Sequence, residues 1–285
     1  MRKSHGPGLA VTLGLTAVTA IASPTAVAGT TPGTASAGTA DTCPSVVALV
    51  ARGSEENDVY APSPANGHSN GYEGETLHRF LTYATAVHPD LFGSDEPTGQ
   101  GPEEGLGERA VLALDADHYP ARFPVGEPGE VPDPATLAGG VGMFIDSMAQ
   151  GLPGGVRMVE QYESSTGCRP DYVGLGYSQG VAALAPVQHR LASEGRLRGA
   201  VYLGNPFHRV PDLIGGGAMS TVPVHSYCVD DDFVCDPGPR SALLAVQDDE
   251  GAGAHDSYFA GAATDPSTAG VQERAAADVF AGLIR

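Results

Sequence analysis

Positive charge is what this 285-residue chain has least of. It carries 15 Lys and Arg against 34 Asp and Glu, a net charge of −19 with His neutral, and Lys3 is its only lysine. A surface of that sign repels nucleic acid and anionic membrane, so neither is expected as a partner. Long apolar runs are also missing beyond the N-terminus, so no later segment should span a bilayer. No strand-like run leads into a G-x-G-x-x-G or G-K-[ST] sequence, which removes the nucleotide phosphate loops, and there is no internal repeat. The four cysteines, Cys43, Cys168, Cys228 and Cys235, include no C-x2-C pair. The usual zinc spacing is therefore lacking. Charged residues are few at 17% and apolar residues ordinary at 41%, the balance of a globular chain and not a disordered one.

At the N-terminus Arg2 and Lys3 precede an apolar run from Leu9 to Ala22, and Ala26-Val27-Ala28 follows before Gly29. A basic start, an apolar stretch and an A-x-A site predict a secretory signal peptide over 1–28. The run falls short of the ~18 strongly apolar residues a membrane anchor needs. Cleavage after Ala28 removes Arg2 and Lys3 and no acid, which takes the net charge from −19 to −21. No cysteine sits near the cleavage site to take a lipid. Residues 29–42 are rich in Thr, Ala, Gly and Ser and read as a flexible linker. The folded domain is expected over 43–285, secreted, extracellular and monomeric, with no stable membrane anchor. An even cysteine count in an exported chain implies two disulfides. Cys228 and Cys235 enclose a short acidic loop and are paired on that ground, leaving Cys43 with Cys168.

Five short apolar runs read as buried strands: Val46 to Val50, Ala110 to Leu114, Tyr172 to Leu175, Ala200 to Leu203 and Val222 to Tyr227. Helical spacing separates them. Glu75 to Val87 places Leu77, Phe80, Leu81 and Ala84 on one face. Leu137 to Tyr162 is periodic, with a break expected at Gly151 to Gly155. Val181 to Glu194 is the next helix. Gln272 to Ile284 closes the chain with Ala275, Val279, Phe280 and Leu283 facing inward. Strands alternating with helices predict a three-layer α/β sandwich around a mostly parallel sheet. Residues 56–72 and 89–107 read as long loops.

The chain is organised around Gly176-Tyr177-Ser178-Gln179-Gly180, set between a strand and a helix. A G-x-S-x-G sequence in that context holds a serine hydroxyl proud of the sheet as a nucleophile. A second match, Gly67-His68-Ser69-Asn70-Gly71, has no strand before it and reads as a turn. A serine nucleophile needs a base, usually histidine, and an acid to orient the base; in sheets of this type they follow in the chain order serine, acid, histidine. Downstream lie His189 on the following helix, His208 after Asn205-Pro206, His225 inside a strand, and His255 in a Gly/Ala loop. Only His255 follows the acidic loop Cys228 to Cys235, and position alone does not choose among Asp230, Asp231 and Asp232.

Taken together, these segments resemble the cutinase family of serine esterases, including the cutinase-like proteins of actinobacteria. Cys43 with Ala51-Arg52-Gly53-Ser54 resembles that family's first strand and oxyanion loop, and Gly176 to Gly180 its G-Y-S-Q-G element. Cys228-x-x-x-Asp232-x-x-Cys235 resembles its bracketed acid, and His255-Asp256-Ser257-Tyr258 its H-x-x-Y stretch. The resemblance implies a compact α/β-hydrolase with five strands, a Ser178–His255–Asp232 triad, an oxyanion hole from Ser54 and the backbone N–H of Gln179, and no need of a metal or organic cofactor. It implies hydrolysis of carboxylic esters, as lipids or cutin-like polyesters, or deacetylation of a polysaccharide such as acetylxylan. A non-catalytic surface protein on the same fold is the reading of another class. Loops 56–72 and 89–107 and the gap from Cys235 to His255 are longer than usual for the family, and Val181 stands where Ala is common. Partial cover over the serine is expected from the longer loops.

Overall fold

Apolar strand sequences buried on both faces dictate the layering, and the architecture follows from them. The computed structural model describes residues 43–92, 109–123, 134–247 and 253–285; the expected signal peptide and linker, and most of the 89–107 loop, lie outside them. Five strands form one sheet in the order β2-β1-β3-β4-β5. They are β1 Val46–Ala51, β2 Arg109–Ala113, β3 Asp171–Tyr177, β4 Leu197–Leu203 and β5 Val224–Tyr227. Every pairing is parallel, so the sheet is wholly and not mostly parallel.

Parallel strands need crossovers, and helices on both faces supply them. These are α1 Gly74–Val87, α2 Pro134–Thr166, α3 Gln179–Ser193, α4 Asp212–Gly215, α5 Pro239–Gln247 and α6 Val271–Ile284. Strand alternation sorts the core into two layers. Val46, Ala48 and Val50 of β1 pack with Leu77, Phe80, Leu81 and Ala84 of α1 and Phe280 and Ile284 of α6. Val47, Leu49 and Ala51 pack with Met158 and Val159 of α2 and Leu184 and Val187 of α3. This is the expected three-layer α/β sandwich, a five-stranded sheet between two helix layers.

Two local expectations are corrected. The break at Gly151 to Gly155 does not occur: α2 runs unbroken past Pro153. The glycines there serve close packing. A Cβ on Gly154 would lie 1.9 Å from the His118 carbonyl oxygen, one on Gly151 2.7 Å from the Tyr119 ring, and one on Gly155 2.8 Å from Val187. Helix α6 is turned about one residue from the expected face. Ala276, Ala277, Phe280, Ala281 and Ile284 are buried, while Ala275, Val279 and Leu283 flank them, because the α6 contact is built on small alanines around Phe280.

The disulfide Cys43–Cys168 joins the chain just before β1 to the chain just before β3. A closure of that length is worth about 4–5 kcal/mol in the chain-entropy account. The 56–72 loop is tied to the β2 edge, where the Asn70 carboxamide both donates to Ala113 O and accepts from Ala113 N, each at 2.8 Å. β2 is separated from β3 by β1, so this anchor lies one strand away from the G-x-S-x-G turn. Among the described residues, no helix is long and apolar enough to cross a membrane.

Gly154→Ala should lower stability by about 1–3 kcal/mol, because the backbone of α2 or of the 114–119 turn must move. Gly139→Ala, where a Cβ meets nothing within 4 Å, should be neutral or stabilising by up to ~1 kcal/mol. Urea midpoints of the two variants check this, and equal shifts would contradict the packing role.

Candidate active site

In an all-parallel sheet the C-terminal ends of the strands share one edge, and ligands bind outside that edge where the strand order reverses. Here the reversal falls between β1 and β3, whose ends Ala51 and Gly176 are register partners. The chain leaving β1 carries Arg52, Gly53 and Ser54; the chain leaving β3 carries Ser178; the chain leaving β5 carries Asp232.

Ser178 occupies φ 52, ψ −124 as the residue just before α3. A non-glycine backbone there is strained by about 1–3 kcal/mol. The strain is held by the Ser178 N–H bond to Leu203 O at 3.0 Å and the Val181 N–H bond to Ser178 O at 3.1 Å. The motif glycines allow close approach: a Cβ on Gly180 would lie 2.1 Å from Ala51 O, and one on Gly176 3.1 Å from Val181 Cα. So α3 starts hard against the end of β1, and residue 178 alone takes the positive φ.

Ser178 Oγ lies 2.9 Å from His255 Nε2, and His255 Nδ1 lies 2.9 Å from Asp232 Oδ2. Of the three candidate acids only Asp232 reaches the histidine. Asp232 is fully buried, Asp230 is exposed, and Asp231 turns outward to pair with Arg240 at 2.9 Å. The Cys228–Cys235 disulfide closes this acidic loop. Asp232 Oδ2 also accepts the Tyr258 hydroxyl at 2.6 Å, and Oδ1 accepts the Val234 N–H at 2.8 Å. Burial pushes the Asp232 pKa up, but the His255 hydrogen bond and charge, the Tyr258 hydroxyl and the Val234 N–H outweigh it, so the net shift is downward. Burial, with the Asp232 charge next to it, drives the Tyr258 phenol well above its ordinary value, so it remains a donor.

The other histidines downstream of Ser178 lie elsewhere in the fold. His208 Nδ1 meets Ser226 Oγ at 3.0 Å, His225 lies within β5 with its imidazole pKa held down by burial, and His189 lies along α3. Ser69 is buried and donates to Glu73 Oε2 at 2.6 Å, while Asn66 and His78 contact the other oxygen of Glu73. The second G-x-S-x-G match therefore fastens the 56–72 loop to α1.

Sequence reasoning missed the groups that hold His255. The Tyr177 hydroxyl donates to His255 O at 2.8 Å, and its ring stacks on the imidazole at 4.9 Å between centroids. Gly204, at φ +53, leaves space for the imidazole: a Cβ there would lie 2.7 Å from His255 Cε1. Tyr177 sits in the motif, but nothing in its spacing signals a partner 78 positions away.

Ser54 Oγ contacts the side chain of Gln179 at 2.9 Å. Gln179 is the first residue of α3, so its backbone N–H has no acceptor within the helix. The turn at Ser54 is braced by Glu56, which accepts from Gly53 N at 3.0 Å and Thr76 N at 2.8 Å. Burial raises the Glu56 pKa against those bonds. Arg52 is buried and donates to Leu114 O, Tyr119 O and Asn57. It also lines a cavity of about 440 Å³ with Asn57, Tyr72, Arg122, Asp146 and Gln150.

Among the described residues one group of potential metal ligands stands close together, Cys228, Asp232 and Cys235. Its two sulfurs are bonded to each other, so they offer no thiolate. Chemically, the hydrogen-bonded line from Ser178 to Asp232 can carry the serine proton to an imidazole whose charge a buried carboxylate balances.

No family model matches the sequence, and no curated protein matches it. Among solved structures the chain is similar to a Trichoderma reesei cutinase in complex with a C11Y4 phosphonate inhibitor. The identity is 17% and the TM-score 0.45, over 86% of this chain and 78% of that one.

The lowered Asp232 pKa sets a pH dependence. Its stabilising contribution is complete above the unfolded value of about 3.9 and is lost as pH falls through the lower folded value. The stability gap between wild type and Asp232→Asn, from urea midpoints, should therefore be widest at neutral pH and shrink below about pH 4. A gap that is constant with pH would contradict the charge network.

Proposed function

We propose that this chain is a secreted serine carboxylic ester hydrolase that works through an acyl-enzyme. The observation that carries this reading is the continuous line Ser178 Oγ, His255 and Asp232, with two 2.9 Å contacts, at the end of a strained strand–turn–helix. Ser178 attacks the ester carbonyl while His255 takes its proton. The oxyanion is met by the Gln179 backbone N–H and the Ser54 hydroxyl. His255 then returns the proton to the leaving alcohol, and water repeats the sequence to release the acid. Each donor fixed at the oxyanion contributes about 3–4 kcal/mol to the transition state. Two disulfides fit an oxidising compartment, which agrees with export by the sequence-predicted leader.

Exposed apolar side chains support a proposal for the substrate class. Several stand on elements that leave or return to the C-terminal edge of the sheet. Val59 follows β1, Phe233, Leu243 and Leu244 follow β5, and Val141, Met143 and Ile145 lie in the N-terminal half of α2. This supports water-insoluble, neutral esters, in keeping with the repulsion of anionic surfaces expected from a net charge of −19. A second reading, deacetylation of a carbohydrate, is favoured by the polar cavity beside Arg52, which offers Arg, Asn, Asp, Gln and Tyr groups to hydroxyls.

Hydrolysis of p-nitrophenyl esters from acetyl to palmitoyl, beside Ser178→Ala, separates these readings. Ser178-dependent turnover through butyryl and longer chains is expected. Turnover confined to acetyl would move the assignment to the deacetylase. None at any length would leave a non-catalytic surface protein. Within an active protein, Asp232→Asn should lower kcat by about 10³–10⁴-fold, while Asp230→Asn and Asp231→Asn stay within a few-fold. Equal losses at the three positions would overturn the acid assignment.

A further inference from the structure

Two features of Gln179 conflict with a simple oxyanion role for Ser54. The Ser54 hydroxyl donates its proton to Gln179 Oε1 at 2.9 Å. A hydroxyl has one proton to give, so in this arrangement Ser54 would turn lone pairs, and not a donor, toward a developing oxyanion. At the same time Gln179 Nε2, in a residue that is only 5% exposed, is buried without a hydrogen-bond partner. Orphaned buried N–H groups are rarer than under-satisfied carbonyl oxygens. Turning the carboxamide end by half a rotation gives Ser54 a donor and exchanges the orphaned N–H for an under-satisfied Oε1, the more common case, and the torsion it needs is broad and roughly two-fold. Nε2 then donates to Ser54 Oγ. The Ser54 proton is released, and accepting an N–H polarises that hydroxyl into a better donor.

We infer that the Gln179 side chain is a positioning group that directs the Ser54 proton, and that its working orientation is the one in which Nε2–H donates to Ser54 Oγ. Residue 179 thus serves the oxyanion twice, by its own backbone N–H and through the hydroxyl it orients. The catalytic half of this inference rests on the esterase reading; the sense of the hydrogen bond does not.

Neutron diffraction from deuterium-exchanged crystals of the full chain tests that sense without any turnover. A Gln179 Nε2 deuteron on the line to Ser54 Oγ is expected, with the Ser54 deuteron pointing away from Gln179. A Ser54 deuteron found only toward Gln179 Oε1 would overturn the inference. The kinetic arm uses Gln179→Glu, whose carboxylate accepts only and therefore pins the Ser54 proton. It should lower kcat by about 10²-fold with little change in KM, as the loss of one oxyanion donor does. Ser54→Ala should do the same, and the double variant should be no worse than either. Gln179→Met, which cannot pin the proton, should cost only about tenfold, since Ser54 keeps its donor. A Glu variant within about threefold of wild type, or losses that multiply in the double variant, would overturn the role. If the wild type shows no Ser178-dependent turnover, the esterase reading fails and the neutron result alone decides the inference.

Discussion

A buried negative charge organises this molecule. Asp232 has no exposed surface, and a carboxylate out of water is costly unless every oxygen is hydrogen-bonded. Three groups from two segments meet that demand. His255 arrives from the 3-10 turn Gly253–Ser257, Tyr258 follows three residues later, and the Val234 N–H lies within the disulfide-closed loop itself. Tyr258 is buried and leads into Phe259, which packs edge-on against Phe80 of α1. The acid is thus compensated by groups rooted in the α1/α6 layer, and the position of His255 follows from that compensation. Tyr177, reaching from the end of β3 to the His255 carbonyl, closes the connection back to the serine.

The other half of the site is held by close approach. Gly180 brings the start of α3 onto the carbonyl of Ala51, which places residues 178 and 179 beside the loop leaving β1. Helix and strand end meet with no side chain between them. The strain at Ser178 persists because backbone bonds to β4 and α3 over-determine it. Glu56 and Arg52 brace the facing loop from beneath through backbone N–H and C=O groups. The serine side of the site is therefore set by backbone contacts, and the acid side by a charge network.

Much of this was legible in the residues, and the parts that were not share a cause. Strands buried on both faces are continuous apolar runs, so β1, β2, β3 and β4 stood out from composition alone. Ser178 was separable from Ser69 because only it follows such a run. Asp232 was not separable from Asp230 and Asp231 by position, since its distinction is burial, a tertiary property; the family resemblance singled it out. Gly151, Gly154 and Gly155 read as helix breakers because their local propensity is poor, yet contacts with His118, Tyr119 and Val187 require them. The inner face of α6 was misjudged by one residue because Val279 and Leu283 outweigh Ala276 and Ala277 in apolarity but not in fit. The partners of Tyr177 and Gln179 lie 78 and 125 positions away, beyond any local pattern.

The central claim is that Ser178 is an activated nucleophile. Reaction of the purified protein with diethyl p-nitrophenyl phosphate, followed by peptide mass mapping, tests it without a choice of natural ester. The account predicts one diethylphosphoryl adduct, on Ser178, absent from Ser178→Ala and formed far more slowly in His255→Ala. No adduct, or one on Ser69 instead, would contradict it.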